Sequence, residues 1–126
     1  MKATILVVDD SPTARSVIQV YLASLGCNFL EASSADRALQ ILRLVNVDLV
    51  IADIRMPGTD GVTFVRQVRA ESKPWLRTVP IVLLTGDTSL ETRRDGIQAG
   101  ANEFLLKPVC EANLANVVQK YLPLAK

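Results

Sequence analysis

The sequence predicts an α/β fold built on a five-stranded parallel sheet. Five short runs, 5–8, 29–32, 49–52, 80–84 and 103–106, have strand length, and three of them contain no polar residue. Each is followed by a stretch with apolar residues at helical spacing, and strands alternating with helices imply a parallel sheet covered on both faces. Four of the runs end at polar residues: Asp9-Asp10, Asp53, Thr85 and Lys107. In a parallel sheet those ends share one edge, where open α/β sheets keep their sites.

The elements follow in order. The run 5–8 is bounded by Asp9-Asp10 and reads as a buried strand. Ser11-Pro12 is a helix start, with Ser11 as N-cap and Pro12 at the first helical position. Ala14, Val17, Ile18, Tyr21 and Leu25 continue at helical spacing until Gly26 supplies the stop. The run 29–32 is a weaker strand, and Ser33 or Ser34 caps a helix carrying Ala38, Leu39, Ile41, Leu42 and Val45. After the third strand and Asp53, Val62, Val65 and Val68 mark a helix over 61–70. Residues 71–79 read as a loop interrupted by Pro74, with Trp75 as a satellite packing residue. The helix over 90–99 is weak, because Gly96 lies inside it and few of its residues are apolar; Gly100 ends it. The last helix shows Leu114, Val117, Val118 and Tyr121, and stops before Pro123.

Composition narrows the function classes. A chain of 126 residues with no repeat or linker reads as one domain over 1–126, with no output domain. Fourteen basic residues against thirteen acidic ones, with no long run of either, give no reason to expect nucleic acid or an anionic membrane as partner. No apolar stretch reaches the roughly 18 residues of a membrane helix, and the start has no signal-peptide pattern, so a cytoplasmic location is expected. There is no histidine, which excludes His-based metal sites and Ser-His-Asp or Cys-His catalysis. Cys27 and Cys110 lie far apart and form no CxxC.

The strand ends gather three carboxylates, one hydroxyl and one ammonium. A carboxylate such as Asp53 at the end of a buried strand is costly unless paired or metal-bound. Three carboxylates within a few ångström repel, and one at least has a raised pKa unless a cation neutralises them. Oxygen donors without His or Cys favour a hard ion, Mg²⁺ above all. Mg²⁺ together with Lys107 is also the surrounding a phosphoryl group requires.

Asp9-Asp10-Ser11, Asp53-x-x-Met56-Pro57-x-x-Asp60-Gly61, Thr85, Gly100-Ala101-Asn102 and Lys107-Pro108 occur in one order across nearly the whole chain. In this the sequence resembles the receiver domains of two-component response regulators, most closely the single-domain chemotaxis type. The resemblance implies a flavodoxin-like, doubly wound sheet of order 2-1-3-4-5 with five helices. It implies that Asp53 is the phosphoacceptor, taking a phosphoryl group from a histidine kinase or phosphotransfer protein. It makes Asp10, Asp53 and the backbone carbonyl of Arg55 the direct Mg²⁺ ligands, with Asp9 holding a metal-bound water. Thr85 is implied as the switch hydroxyl, Lys107 as the countercharge, and the Lys107–Pro108 bond as a cis peptide. Phe104 stands where the family has its switch aromatic; lacking a hydroxyl, it is expected to act by packing alone.

Output is then expected from the fourth helix, fifth strand and last helix, by contact with a downstream protein, from a monomer or a phosphorylation-dependent dimer. The chain reads as a switch rather than an enzyme. An aspartate-nucleophile phosphatase of the haloacid dehalogenase type would need Asp-x-Asp, and position 55 is Arg. A pseudo-receiver that binds a partner without phosphorylation is the remaining alternative. Arg55 and Asp87 are expected to pair across the mouth of the site, worth about 0–1 kcal/mol.

Overall fold

The computed structural model describes residues 2–122. Its strands are β1 (Thr4–Val8), β2 (Asn28–Ala32), β3 (Leu49–Asp53), β4 (Ile81–Thr85) and β5 (Glu103–Leu106). They form one parallel sheet in the order β2-β1-β3-β4-β5. The helices are α1 (Pro12–Leu22), α2 (Ala35–Leu44), α3 (Gly61–Arg69), α4 (Leu90–Ala99) and α5 (Glu111–Tyr121). The stop expected before Pro123 falls at the edge of the described residues, and Pro123 itself lies outside them.

Alternation along the strands divides the core between two faces. Ile5, Val7, Leu49, Ile51, Val82 and Leu84 pack with Ile18 and Leu22 of α1 and with Leu114 and Val118 of α5. Leu6, Val8, Val50, Ala52, Ile81 and Leu83 pack on the other face with α2 and α3. The central strands β3 and β4 are buried at every residue, which is why their sequences read as unbroken apolar runs.

Helix starts obey the capping signals. Ser11, Ser34, Asp60 and Ser89 each accept a backbone N–H from three residues onward. Of the two serines that could cap α2, it is Ser34 that does so. Two local expectations are corrected. The first helix does not run to Leu25: α1 ends at Leu22, a 3₁₀ turn covers Ala23–Leu25, and Gly26 closes it at φ 71°. Pro74 does not interrupt a loop but opens a 3₁₀ helix over Pro74–Arg77, since its fixed φ suits a first helical position. Trp75 is half-exposed, with Lys73 Nζ 5.2 Å from its ring centroid.

Gly61 decides how closely α3 can start behind the end of β3. Its N–H donates to Ile54 O at 2.8 Å. A Cβ there would stand 2.7 Å from both Asp53 O and Ile54 Cα. Only glycine permits this approach, which turns the chain sharply after Asp53.

Candidate functional site

The register sets the site. Val8 is paired with Ala52, Asp53 with Leu84, and Thr85 with Leu106, so four strands finish at one level of the sheet. Each next residue or two emerges on the same edge. That edge gathers Asp9, Asp10 and Asp53, whose carboxylate oxygens lie within 4.8 Å of one another. Asp9 and Asp53 are buried and Asp10 is exposed. Lys107, just beyond β5, reaches back across β4 and places Nζ 2.8 Å from Asp53 Oδ2. The Lys107–Pro108 peptide bond is cis.

Local hydrogen bonds orient each group. Asp9 Oδ1 accepts the Ser11 N–H at 2.9 Å. Asp53 Oδ1 accepts the Arg55 N–H at 3.3 Å, so the chain leaving β3 folds over its own carboxylate. Thr85 is buried at the end of β4, and its Oγ1 accepts the Asp87 N–H at 2.9 Å. Burial pushes the Asp9 carboxyl above its ordinary value. The Ser11 N–H opposes this, Asp53 adds to it, Lys107 opposes and Asp10 adds.

This donor set fits a hard divalent cation. It has three carboxylates, no nitrogen or sulfur ligand, and one buried acid that is costly to ionise without a counterion. A single lysine cannot neutralise three carboxylates. Asp9, Asp10 and Asp53 are the side chains that would hold the ion.

Phe104 lies apart from the carboxylates, half-buried and turned toward α4. Its ring occupies the place a Cβ on Gly96 would take: such an atom would be 2.2 Å from Phe104 Cζ and 2.4 Å from Cε2. The expected Arg55–Asp87 pair does not form among the described residues. Asp87 instead accepts the Ser89 N–H at 2.8 Å and the Thr92 hydroxyl at 2.7 Å, binding it to the start of α4. Those hydrogen bonds hold its carboxyl below the ordinary range, and the charge of Arg55 is the smallest contributor.

Two residues at the opposite edge of the sheet were given no role by the sequence. Arg69, half-buried at the end of α3, donates to Gly100 O at 2.8 Å, to Leu76 O at 3.0 Å and to Asn102 Oδ1 at 3.1 Å. Asn102 Oδ1 also accepts the Ile81 N–H at 2.9 Å. The Gly100-Ala101-Asn102 motif thus fastens the turn after α4 to the first residue of β4. The basic last turn of α3 was the available signal.

Residues 5–119 match the response regulator receiver domain. Among curated relatives, the chain is 35% identical over 122 residues to the sensor histidine kinase GacS of Pseudomonas protegens, covering 96% of this chain and 13% of that protein. It is 37% identical over 114 residues to the transcriptional regulatory protein AruR of Pseudomonas aeruginosa, covering 86% and 45%. The chain therefore spans less than half the length of these relatives. Among solved structures, the chemotaxis protein CheY4 of Vibrio cholerae superposes with a TM-score of 0.89 at 32% identity, covering 97% of this chain and all of that one. The receiver domain of a sensor histidine kinase of Pseudomonas aeruginosa, described with a magnesium ion coordinated in its active-site cleft, gives 0.85 at 31% identity and covers 96% and 98%. With this coverage, the same sheet order and an acidic cluster at the strand ends, the chain belongs to the response regulator receiver domains of two-component signalling.

Proposed function

We propose that this domain is a Mg²⁺-dependent switch that accepts a phosphoryl group on Asp53 and signals through protein contact. The observation that carries the reading is the convergence of Asp9, Asp10, Asp53 and Lys107, with Lys107 Nζ 2.8 Å from the candidate nucleophile.

An Asp53 carboxylate oxygen attacks the phosphorus of a phosphohistidine on a histidine kinase or phosphotransfer protein. An O–P bond forms, the P–N bond breaks, and the imidazole nitrogen leaves with the electron pair. Lys107 faces one side of the new acyl phosphate and offsets its charge. Asp9, Asp10 and Asp53, with the Arg55 carbonyl, are the groups proposed to hold the ion, Asp9 through a metal-bound water. Bound there, Mg²⁺ supplies charge that offsets the carboxylates and the incoming phosphoryl oxygens. Thr85 gives up the Asp87 N–H as its hydroxyl turns to donate to a phosphoryl oxygen.

That turn is linked to output through β4 and α4. Thr85 and Asp87 share a hydrogen bond, and Asp87 holds Ser89 and Thr92 at the start of α4. Withdrawing Thr85 loosens that start and opens room for Phe104. Leu90, Ile97 and Leu106 already stand exposed on the α4–β5–α5 side, apolar surface of the kind a partner covers. Reversing a 1:99 population needs about 5.5 kcal/mol of differential affinity, which charge-assisted contacts from Lys107, Thr85 and the cation can supply together. The test is an amide NMR spectrum with Mg²⁺ and a small acyl-phosphate donor. The proposal expects shifts running from Asp53 through α4 to β5 that are absent in Asp53→Asn; shifts confined to the acidic cluster contradict it.

A further inference from the structure

Asp10 poses a positioning problem. It is exposed, and among the described residues its carboxylate accepts no hydrogen bond. Its placement beside Asp9 and Asp53 must therefore come from the backbone. The peptide joining Asp9 to Asp10 is a rigid plane, so fixing the Asp9 carbonyl oxygen fixes the plane that carries the Asp10 Cα.

Arg15 holds that oxygen. Its Nη1 donates to Asp9 O from one turn into α1. The guanidinium is itself anchored, with Nε 2.8 Å from Glu31 Oε1 and its side chain 14% exposed. The Arg15 hydrogen bond holds the Glu31 carboxyl below its ordinary range, with Gln19 adding to the effect. On the other side of the same residue, the Asp9 N–H donates to Ala32 O at 3.1 Å. Asp9 is thus held from β2 through its N–H and from α1 through its carbonyl, while its carboxylate, which accepts the Ser11 N–H, belongs to the cluster.

We propose that Arg15 is a positioning residue of the acidic cluster, setting the Asp9–Asp10 peptide so that both carboxylates face one cation, with Glu31 as its anchor. The inference rests on the Mg²⁺ site of the proposed function. It predicts a sign that simple electrostatics reverses. As a nearby positive charge alone, Arg15 would oppose a cation, and its removal would tighten Mg²⁺ binding. As a positioning residue, its removal weakens binding, since partners that orient ligands commonly change metal affinity by about tenfold or more.

The experiment is a Mg²⁺ titration followed by amide NMR, with thermal unfolding in Mg²⁺-free buffer as a check on folding. Arg15→Ala is expected to weaken Mg²⁺ binding about tenfold. Arg15→Lys should recover part of the loss, because an ammonium reaches one acceptor but lacks the fork that also engages Glu31. Glu31→Ala, at an exposed position on β2, loosens the anchor without touching the cluster and should weaken binding by a smaller factor. Arg37→Ala makes the same charge change on the exposed side of α2 and should leave affinity unchanged. Unchanged or tighter binding in Arg15→Ala, or unchanged binding in Glu31→Ala if Arg15→Ala does not fold, overturns the proposal. Wild-type protein that shows no saturable Mg²⁺ binding overturns instead the site reading on which it rests.

Discussion

Lys107 Nζ stands 2.8 Å from Asp53 Oδ2, although the two side chains leave strands separated in the sheet by β4. The contact exists because β3 and β5 finish at one level and because Lys107 bends back over the edge. Removing it leaves a buried carboxylate beside two others with no cation of the protein's own. Lys107 is partly exposed, so solvent moderates the loss, and Lys107→Ala is expected to destabilise the Mg²⁺-free protein by about 1–2 kcal/mol. Added Mg²⁺ should then raise the unfolding midpoint of the variant more than that of wild type. Equal gains in the two proteins would contradict the compensation between lysine and ion.

Asp9 gives the pH dependence. Its carboxyl is pushed above the ordinary value of 3.8, first by burial and then by its acidic neighbours. The folded state therefore binds the Asp9 proton more tightly than the unfolded chain does. That contribution to stability is complete below 3.8 and is lost as pH rises through the raised folded value. Without a divalent ion, the charged form of Asp9 is the one that folding disfavours. Asp9→Asn, which keeps an oxygen for the Ser11 N–H, should raise the midpoint at pH 7 in Mg²⁺-free buffer by a few degrees. The advantage should vanish at pH values below 3.8. Thermal scans at the two pH values check this, and an equal gain at both would contradict the titration account.

Gly96 and Phe104 form a socket and its occupant. Glycine inside a helix costs about 1 kcal/mol relative to alanine, yet here the missing Cβ is where the Phe104 ring lies. Gly96→Ala should gain helix propensity and lose ring packing, leaving net stability changed by less than about 1 kcal/mol. The ring, as the far end of a side chain, should move away from α4. A fluorine-labelled Phe104 reports that movement directly. With Phe104→Ala in the background, Gly96→Ala should recover most of the propensity gain, because the two positions couple and only Leu83 Cδ1, 3.2 Å from the new Cβ, is left to give way. An unmoved ring, or the same gain in both backgrounds, would contradict the socket.

What was legible in the sequence follows from how local each determinant is. The runs in β1, β3 and β4 announce themselves because both faces are buried, and Ser11-Pro12 marks the start of α1 within two residues. The gathering of Asp9, Asp10, Asp53 and Lys107 was accessible because parallel strands must end on a common edge. The order of those strands was not contained in the alternation and came from family resemblance. The Arg69 clamp joins residues 31 apart through groups that are mostly backbone carbonyls, which carry no side-chain signature. Arg55 and Asp87 were misjudged because the nearest partners of Asp87 lie within five residues of it, at Ser89 and Thr92. Such short-range Asx contacts win over a longer pairing between exposed charges.

The central claim is that Asp53 carries the phosphoryl group. Its most direct measurement is the intact and peptide-mapped mass of the domain after incubation with Mg²⁺ and a small acyl-phosphate donor. The account predicts a gain of one phosphoryl group on the peptide that contains Asp53, lost when Mg²⁺ is chelated and absent in Asp53→Asn. No gain on the wild type, or an undiminished gain on Asp53→Asn, would contradict it.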